Sequence, residues 1–292
     1  MLWIALTIAA APLQVARNAL QRGLVEEAGP WGATLVRFLF GLPFAVALFA
    51  VAALLTPGAD PKAGPGFWIA VSLGALGQII QTALLLVAMR RSGFAVATFT
   101  QQASLPAAAL LGFLVLGDGL SPAAWAGVGV TTCGVAVLSW PGAISQMARS
   151  GLFLGVASGV VMAVVLNAYR EAAHALDPAH PVYAALGAVC AAQALQSLGL
   201  GAWLAVRRPQ ALRAVLLGWR SSWGAGFCGA AASACWFAAL SLAPAGQVRA
   251  VGVLELPIAA LAGRRLFRES LTLRQALGGA ATAVGVVLAA LG

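Results

Sequence analysis

The sequence predicts an all-α integral membrane protein, with ten transmembrane helices arranged as two inverted five-helix repeats. Three observations carry that expectation. Hydrophobic residues make up 61% of the 292-residue chain, charged residues 9%, and mean hydropathy is +0.93. A soluble domain carries roughly 25% charged residues to cover its surface. Apolar runs long enough to cross about 30 Å of hydrocarbon recur along the whole length. The second half also repeats the first at a fixed offset of 151 residues. A disordered chain is excluded by the hydrophobicity, and a collagenous one by the lack of any period-three glycine.

Taken in order, the apolar runs place spans near 2–21, 31–55, 66–89, 95–116, 123–140, 151–169, 181–205, 221–243, 245–266 and 274–291. They are continuous and rich in Ala, Leu and Gly, without the period-two alternation of a membrane β-barrel. The longer polar connections, Thr56–Pro65, Pro141–Ser150, Glu171–Pro181 and Arg207–Arg220, are too short to fold alone. No basic stretch precedes the first apolar run, so a cleaved signal peptide is not expected.

The repeat runs without a gap. Leu105, Pro106, Ala108, Ala109, Leu110 and Gly112 fall on Leu256, Pro257, Ala259, Ala260, Leu261 and Gly263. Asp118 meets Glu269, Pro30 meets Pro181, Trp68 meets Trp219, and Gly127, Thr131 and Gly134 meet Gly278, Thr282 and Gly285. Matched prolines and a matched acid in one register do not follow from an Ala/Leu/Gly-rich composition. The units are 1–141 and 151–292, each with five spans. An odd number turns the second copy over in the membrane. Inverted repeats with a mid-membrane site are a transporter architecture.

These residues resemble the EamA-type transporters of the drug/metabolite superfamily. The likeness rests on an arginine early in span 2 (Arg37), small residues opening span 4, the mid-span Pro106, Leu-Gly-Asp-Gly-Leu-Ser at 116–121 and a Gly-rich fifth span. Leu256-Pro257 and Phe267-Arg268-Glu269-Ser270-Leu271-Thr272 echo it in the second copy. Asp118 stands where the family usually has glutamate, and Ala188 stands at the repeat position of Arg37. The resemblance implies export or exchange of small metabolites, often amino acids, without fixing the substrate.

Polar side chains inside a bilayer are costly and face cavities or each other. Glu255 is the acidic residue well inside a span; it is read as a substrate contact or proton carrier, or as a structural ion pair with Arg37 or Arg17. Arg37 and Arg249 lie one to two turns inside their spans and either line the cavity or snorkel. Gln78 and Gln81 share a face of span 3, and Thr98, Gln101 and Gln102 cluster on span 4. Amides exchange hydrogen bonds with an organic solute without a large ionic desolvation cost. Inter-helix bonding is the competing role. Gln193 and Gln196 on span 7 favour that second role, and Asn18, Ser104, Asn167, Tyr169 and Trp236 are weaker candidates. Pro106 and Pro257 each free a carbonyl four residues back, Gln102 and Val253, and are read as gating kinks.

No catalytic motif appears: there is no H-E-x-x-H, G-x-S-x-G or P-loop, so no enzyme, cofactor or metal is expected. The four cysteines lie in apolar runs without metal spacing. The net charge of +9 comes almost entirely from arginines that flank spans, which argues for a lipid bilayer partner rather than nucleic acid. The expected site lies near mid-membrane between spans 2, 3, 4 and 9. Its excess of arginine over Glu255 favours an amino acid or other carboxylate-bearing solute, with a proton as a candidate coupling ion. A cationic-drug exporter and a non-transporting scaffold or receptor are the alternatives; an intramembrane enzyme is more remote. The composition leaves oligomeric state open, and a monomer suffices.

The bacterial inner membrane is the expected location. Connections 1–2, 3–4, 5–6, 7–8 and 9–10 hold twelve arginines, from Arg22 to Arg274, whereas the other four hold Lys62 and Arg170. Basic loops stay in the cytoplasm, so both termini are expected outside, contrary to the usual topology of the resembled family. A reporter fused at Gly292 should therefore be active only outside the cytoplasm; a cytoplasmic signal sinks this orientation.

Overall fold

The structure, a computed structural model, describes residues 2–111, 121–139, 146–243, 248 and 251–291. Arg249, Asp118 and Gly112 therefore lie outside the described residues, as do parts of the 112–121 and 141–150 connections. The helices are α1 (Leu2–Leu39), α2 (Leu42–Leu55), α3 (Pro65–Ser92), α4 (Phe94–Thr100), α5 (Ser104–Leu111) and α6 (Pro122–Ser139). They continue with α7 (Gln146–Leu176), α8 (Pro181–Arg207), α9 (Pro209–Leu217), α10 (Trp219–Leu242), α11 (Glu255–Phe267) and α12 (Leu273–Leu291). No strand occurs among the described residues.

Among the described residues, five segments are long and apolar enough to cross a membrane: Leu2–Leu55, Pro65–Ser92, Met147–Leu176, Pro181–Arg207 and Trp219–Leu242. Trp125–Val137 and Leu273–Leu288 are shorter apolar helices. Burial runs opposite to that of a soluble protein. Leu54, Val206 and Phe153 are more than 70% exposed, while Arg17, Arg37, Gln101, Gln102 and Glu255 are at most 3% exposed. Leucine on the outside and charge on the inside is a solution for lipid.

Two boundaries differ from the sequence expectation. Arg22–Ala28, read as a polar connection, continues α1: Arg22 and Glu26 sit one helical turn apart, and Val25 and Ala28 are buried. The helix bends only at Gly29, whose φ of 68° suits glycine, ahead of Pro30. The Arg207–Arg220 connection folds as α9, because Ala211, Leu212 and Ala214 pack around the buried Val215 on the core of Leu35, Val36, Leu200 and Leu204.

The chain divides into two compact units, Met1–Ile79 with Val165–Pro244, and Ile80–Val164 with Ala245–Gly292. Each takes a segment from each half of the sequence. In the first, α1 packs along α10, with α8, α2 and α9 around them. Its loop over α7 is clasped by Asp177, whose carboxylate accepts N–H bonds from Asp60, Ala179 and His180 and lies 3.0 Å from the His180 ring. His180, about one third exposed, is thus a partner in this clasp. Desolvation opposes ionisation of Asp177, but these bonds outweigh it and hold the carboxyl below its ordinary value.

In the second unit, α6 and α12 form the most extensive helix pair, and α4 packs on α11. The α6–α12 contact is reciprocal. A methyl group on Gly134 would meet Thr282 and the Gly278 carbonyl, and one on Gly285 would meet Thr131 and the Gly127 carbonyl. These are the residues superposed by the 151-residue shift. Thr131 faces Gly285 while Gly134 faces Thr282, so the numbering rises on one helix as it falls on the other: the two run antiparallel. Glycine lets their backbones touch. Gly134→Leu or Gly285→Leu should each lower stability by about 1–3 kcal/mol through overpacking, seen as a lower Tm in detergent. Gly129→Ala, which meets nothing within 4 Å, should leave Tm unchanged; equal Tm for all three would remove this contact as a determinant.

Candidate functional site

In the second unit, Gln101, Gln102 and Glu255 lie where membrane helices are interrupted. Span 4 is not one helix: α4 ends at Thr100, Gln101–Ala103 make a 3₁₀ turn, and α5 begins at Ser104. Span 9 breaks 151 residues later, with Val253 and Leu254 in a turn before α11 begins at Glu255. Both interruptions immediately precede a Leu-Pro pair. Pro106 and Pro257 carry no N–H for the carbonyls of Gln102 and Val253. The chain answers by tightening. Ser104 N–H bonds the Gln101 carbonyl, and Leu256 N–H bonds Val253 O at 2.9 Å. The Val253 carbonyl, expected to be left free, therefore has a backbone donor. Pro106 is half-buried and Pro257 exposed.

In the second unit this turn carries a polar network. Ser158 on α7 donates to the Gln81 carbonyl at 3.0 Å and accepts from the Gln101 and Gln81 amides at 3.1 and 3.4 Å. Gly155 and Gly159 flank it and press against Thr100 Oγ1 and the Gln101 carbonyl, so a small-residue stripe lets α7 reach the interrupted backbone. Thr98 is buried and donates to the Phe94 carbonyl at 2.9 Å. Gln102, Ser104 and Glu255 are each at most 2% exposed. At the other end of α4, Glu269 Oε2 accepts the Phe94 N–H at 2.7 Å, so a carboxylate caps the helix N-terminus.

In the first unit, Gln78 Oε1 accepts from the Tyr169 hydroxyl at 3.0 Å and from Gln196 Nε2 at 2.8 Å. Gln196 Nε2 also lies 3.1 Å from the Tyr169 oxygen and 3.2 Å from the Ala75 carbonyl. Tyr169 is held flat by Phe237, 4.2 Å away between ring centroids, and by the bare face of Gly74. Arg37 Nη2 donates to Ser233 Oγ at 3.1 Å, and the Arg17 guanidinium lies 2.6 Å from Asn18 Oδ1. Both arginines pack over Gly229, where an added methyl group would meet Arg37 Cγ at 2.8 Å and Arg17 Cδ at 3.5 Å.

The structure thus buries Arg37, Gln78, Gln81, Thr98, Gln101, Gln102 and Glu255, leaves Asn167 half-buried, and sets Pro106 and Pro257 in the first turns of α5 and α11, just after the interruptions. It separates two residues that the sequence paired: Gln78 bonds within the first unit and Gln81 within the second. Arg17 is 3% exposed and sits beside Arg37 over Gly229. Ser158 and Ser233 carry no signal in a chain this rich in small residues, and Gln21 falls at the edge of the first apolar run. Gln21 shows itself only by donating to the Ala33 carbonyl across the α1 bend, at 2.8 Å.

A family model described as the EamA-like transporter family matches residues 1–140 and, a second time, 149–291. The chain belongs to the EamA-like transporter family. Its members are transporters, and this EamA-like chain is a multi-pass membrane protein. One crystal structure, described only as that of a protein, is 18% identical; the match covers 97% of this chain and 95% of that chain at a TM-score of 0.61. At that identity the likeness is one of fold. No curated protein matches the chain.

Within this EamA-like fold, Gln196 and Gln193 have unlike roles. Gln196→Leu strips partners from Gln78 and Tyr169 and should cost about 1–3 kcal/mol. Gln193 has no hydrogen-bond partner at either amide atom, so Gln193→Leu should leave Tm unchanged or raise it. Thermal unfolding in detergent checks the order; a greater loss for Gln193→Leu reverses the assignment.

Proposed function

We propose that the protein is a secondary transporter, an exporter or exchanger that moves a small organic metabolite bearing a carboxylate, such as an amino acid, by alternating access. The observation that carries the reading is the charge inside the spans. Among the described residues, the first unit buries two span guanidiniums, Arg17 and Arg37, and the second buries one span carboxylate, Glu255. Burying like charges around one glycine is expensive, and a site of net positive charge favours an anionic group on its solute. The amides of Gln78, Gln81, Gln101 and Gln102 and the hydroxyl of Thr98 add hydrogen-bonding groups without further charge.

The finer architecture belongs to the same proposal: ten spans in two inverted repeats, 1–141 and 151–292, in the bacterial inner membrane with both termini outside. The antiparallel α6–α12 contact supports the inversion, because it joins equivalent spans of the two repeats through equivalent residues. The paired interruptions at 101–103 and 253–254 support flexing at those points. Glu255, opening α11 at the second interruption, is the candidate proton carrier, and no ATP-binding motif offers another energy source.

Flux into proteoliposomes tests the reading. Uptake of an amino acid panel should fall at least tenfold in Arg37→Gln and in Glu255→Gln, and persist in Arg149→Gln, whose side chain is exposed. Flux indifferent to a pH gradient and to Glu255→Gln removes proton coupling. Transport of a cationic dye that needs Glu255 but not Arg37 points to a cationic-drug exporter, and no flux of any solute points to a scaffold.

A further inference from the structure

The α8 helix carries three polar side chains on one face at mid-span: Gln193, Gln196 and Ser197, spaced i, i+3 and i+4. All are at least nine-tenths buried, at 2%, 1% and 7% exposure. Their hydrogen bonding is uneven. The Gln196 amide nitrogen is taken by Ala75, Gln78 and Tyr169, which leaves its buried oxygen as an acceptor. That oxygen, both amide atoms of Gln193 and the Ser197 hydroxyl have no hydrogen-bond partner in the protein. A buried polar group left without a partner is disfavoured, so one such atom is tolerable and four on a single helix face are not idle packing.

The neighbouring backbone is also irregular. The chain turns at Phe40 and Gly41 between α1 and α2, and the Gln193 oxygen lies 2.9 Å from where a methyl group on Gly41 would project. Irregular backbone at membrane depth is stable only where it is buried in protein or lines a polar cavity. The Arg37 side chain stands one turn before this bend and packs on Gly229 of α10.

We propose that the Gln193, Gln196 and Ser197 face of α8 is a solute subsite that takes the hydrogen-bond-donating end of the substrate, such as an α-ammonium group. This rests on the transporter reading above and adds the second half of its recognition. Three oxygens, two amide and one hydroxyl, accept from an ammonium with three donors. A bare alkyl group leaves all of them unsatisfied, and the resulting discrimination is large when the site is built to hydrogen-bond. Gln196 is the positioned member, locked by Tyr169 and Gln78, whereas Gln193 is free to meet the solute.

Cysteine labelling in proteoliposomes tests this without a known substrate. Gln193→Cys should react with a methanethiosulfonate-ethylammonium reagent at least tenfold faster than Ala188→Cys, which is buried on the far side of α8, with the modified residue located by peptide mass spectrometry. Alanine should slow the reaction severalfold, and propionate, of the same length but lacking the amino group, should not. Alaninamide separates the two layers of the argument. Protection by alanine but not alaninamide supports both this subsite and the carboxylate reading. Protection by alaninamide alone, or by both equally, keeps the subsite and overturns the carboxylate. Reaction no faster than at Ala188→Cys, protection by none of the three, or equal protection by propionate overturns the subsite.

Discussion

In hydrocarbon a backbone N–H or C=O has no water to turn to, and the rest of this structure depends on that constraint. A continuous helix meets it automatically. A proline inside a helix does not, because it takes away one donor and orphans the carbonyl four residues back. Here the chain tightens just before each Leu-Pro pair, through a 3₁₀ turn at Gln101–Ala103 and a turn at Val253–Leu254. Each tightened turn must then be shielded by close neighbours, and the small residues of α7 supply that shield at Gln101. Polar side chains are tolerated at these turns because the local environment is already polar. The buried polar network around Gln101 thus grows out of the repair of a backbone defect.

The same constraint explains which parts of the fold were legible in the sequence. Composition and run length revealed the membrane class, and the 151-residue register revealed the duplication; both are properties of whole segments and survive local detail. Pro106 and Pro257 marked the neighbourhood of the breaks, which fall a few residues earlier at 101–103 and 253–254, because proline acts on its own helix. The helix through Arg22–Ala28 was not, since charged residues at a membrane surface read as a loop whether or not they are helical. The α9 segment failed for a related reason: its apolar positions matter only once α1 and α8 provide a surface to receive them.

Site residues divide along the same line. Arg37, Glu255 and the glutamines stood out because polar side chains are rare and costly in apolar spans. Ser158 did not, since serine is common among small membrane residues, and its importance lies in what α7 brings near it. Its one hydroxyl donates to a backbone carbonyl and accepts from two glutamine amides, a role set by three separate helices. Spacing alone also joined Gln78 to Gln81. Three residues apart they share a helix face, but a face shows only direction. Gln78 meets a tyrosine and a second amide, while Gln81 meets a serine, and these neighbours define their functions.

Duplication then turns one solution into two unequal ones. At matched positions before Leu-Pro, the first repeat places Ser104 and the second Glu255, both buried. At another matched pair the first places Arg37 and the second Ala188. The scaffold is symmetric where backbones touch, as at Gly134 and Gly285, because close packing between equivalent helices penalises any change on either side. Charge is asymmetric, because the positions matched to Arg37 and Glu255 carry Ala188 and Ser104 instead. A gene duplication supplies symmetric helices, and substitution at a few buried positions is sufficient to make the interior directional. The residues that break the repeat are therefore the ones that close packing between the two copies does not explain.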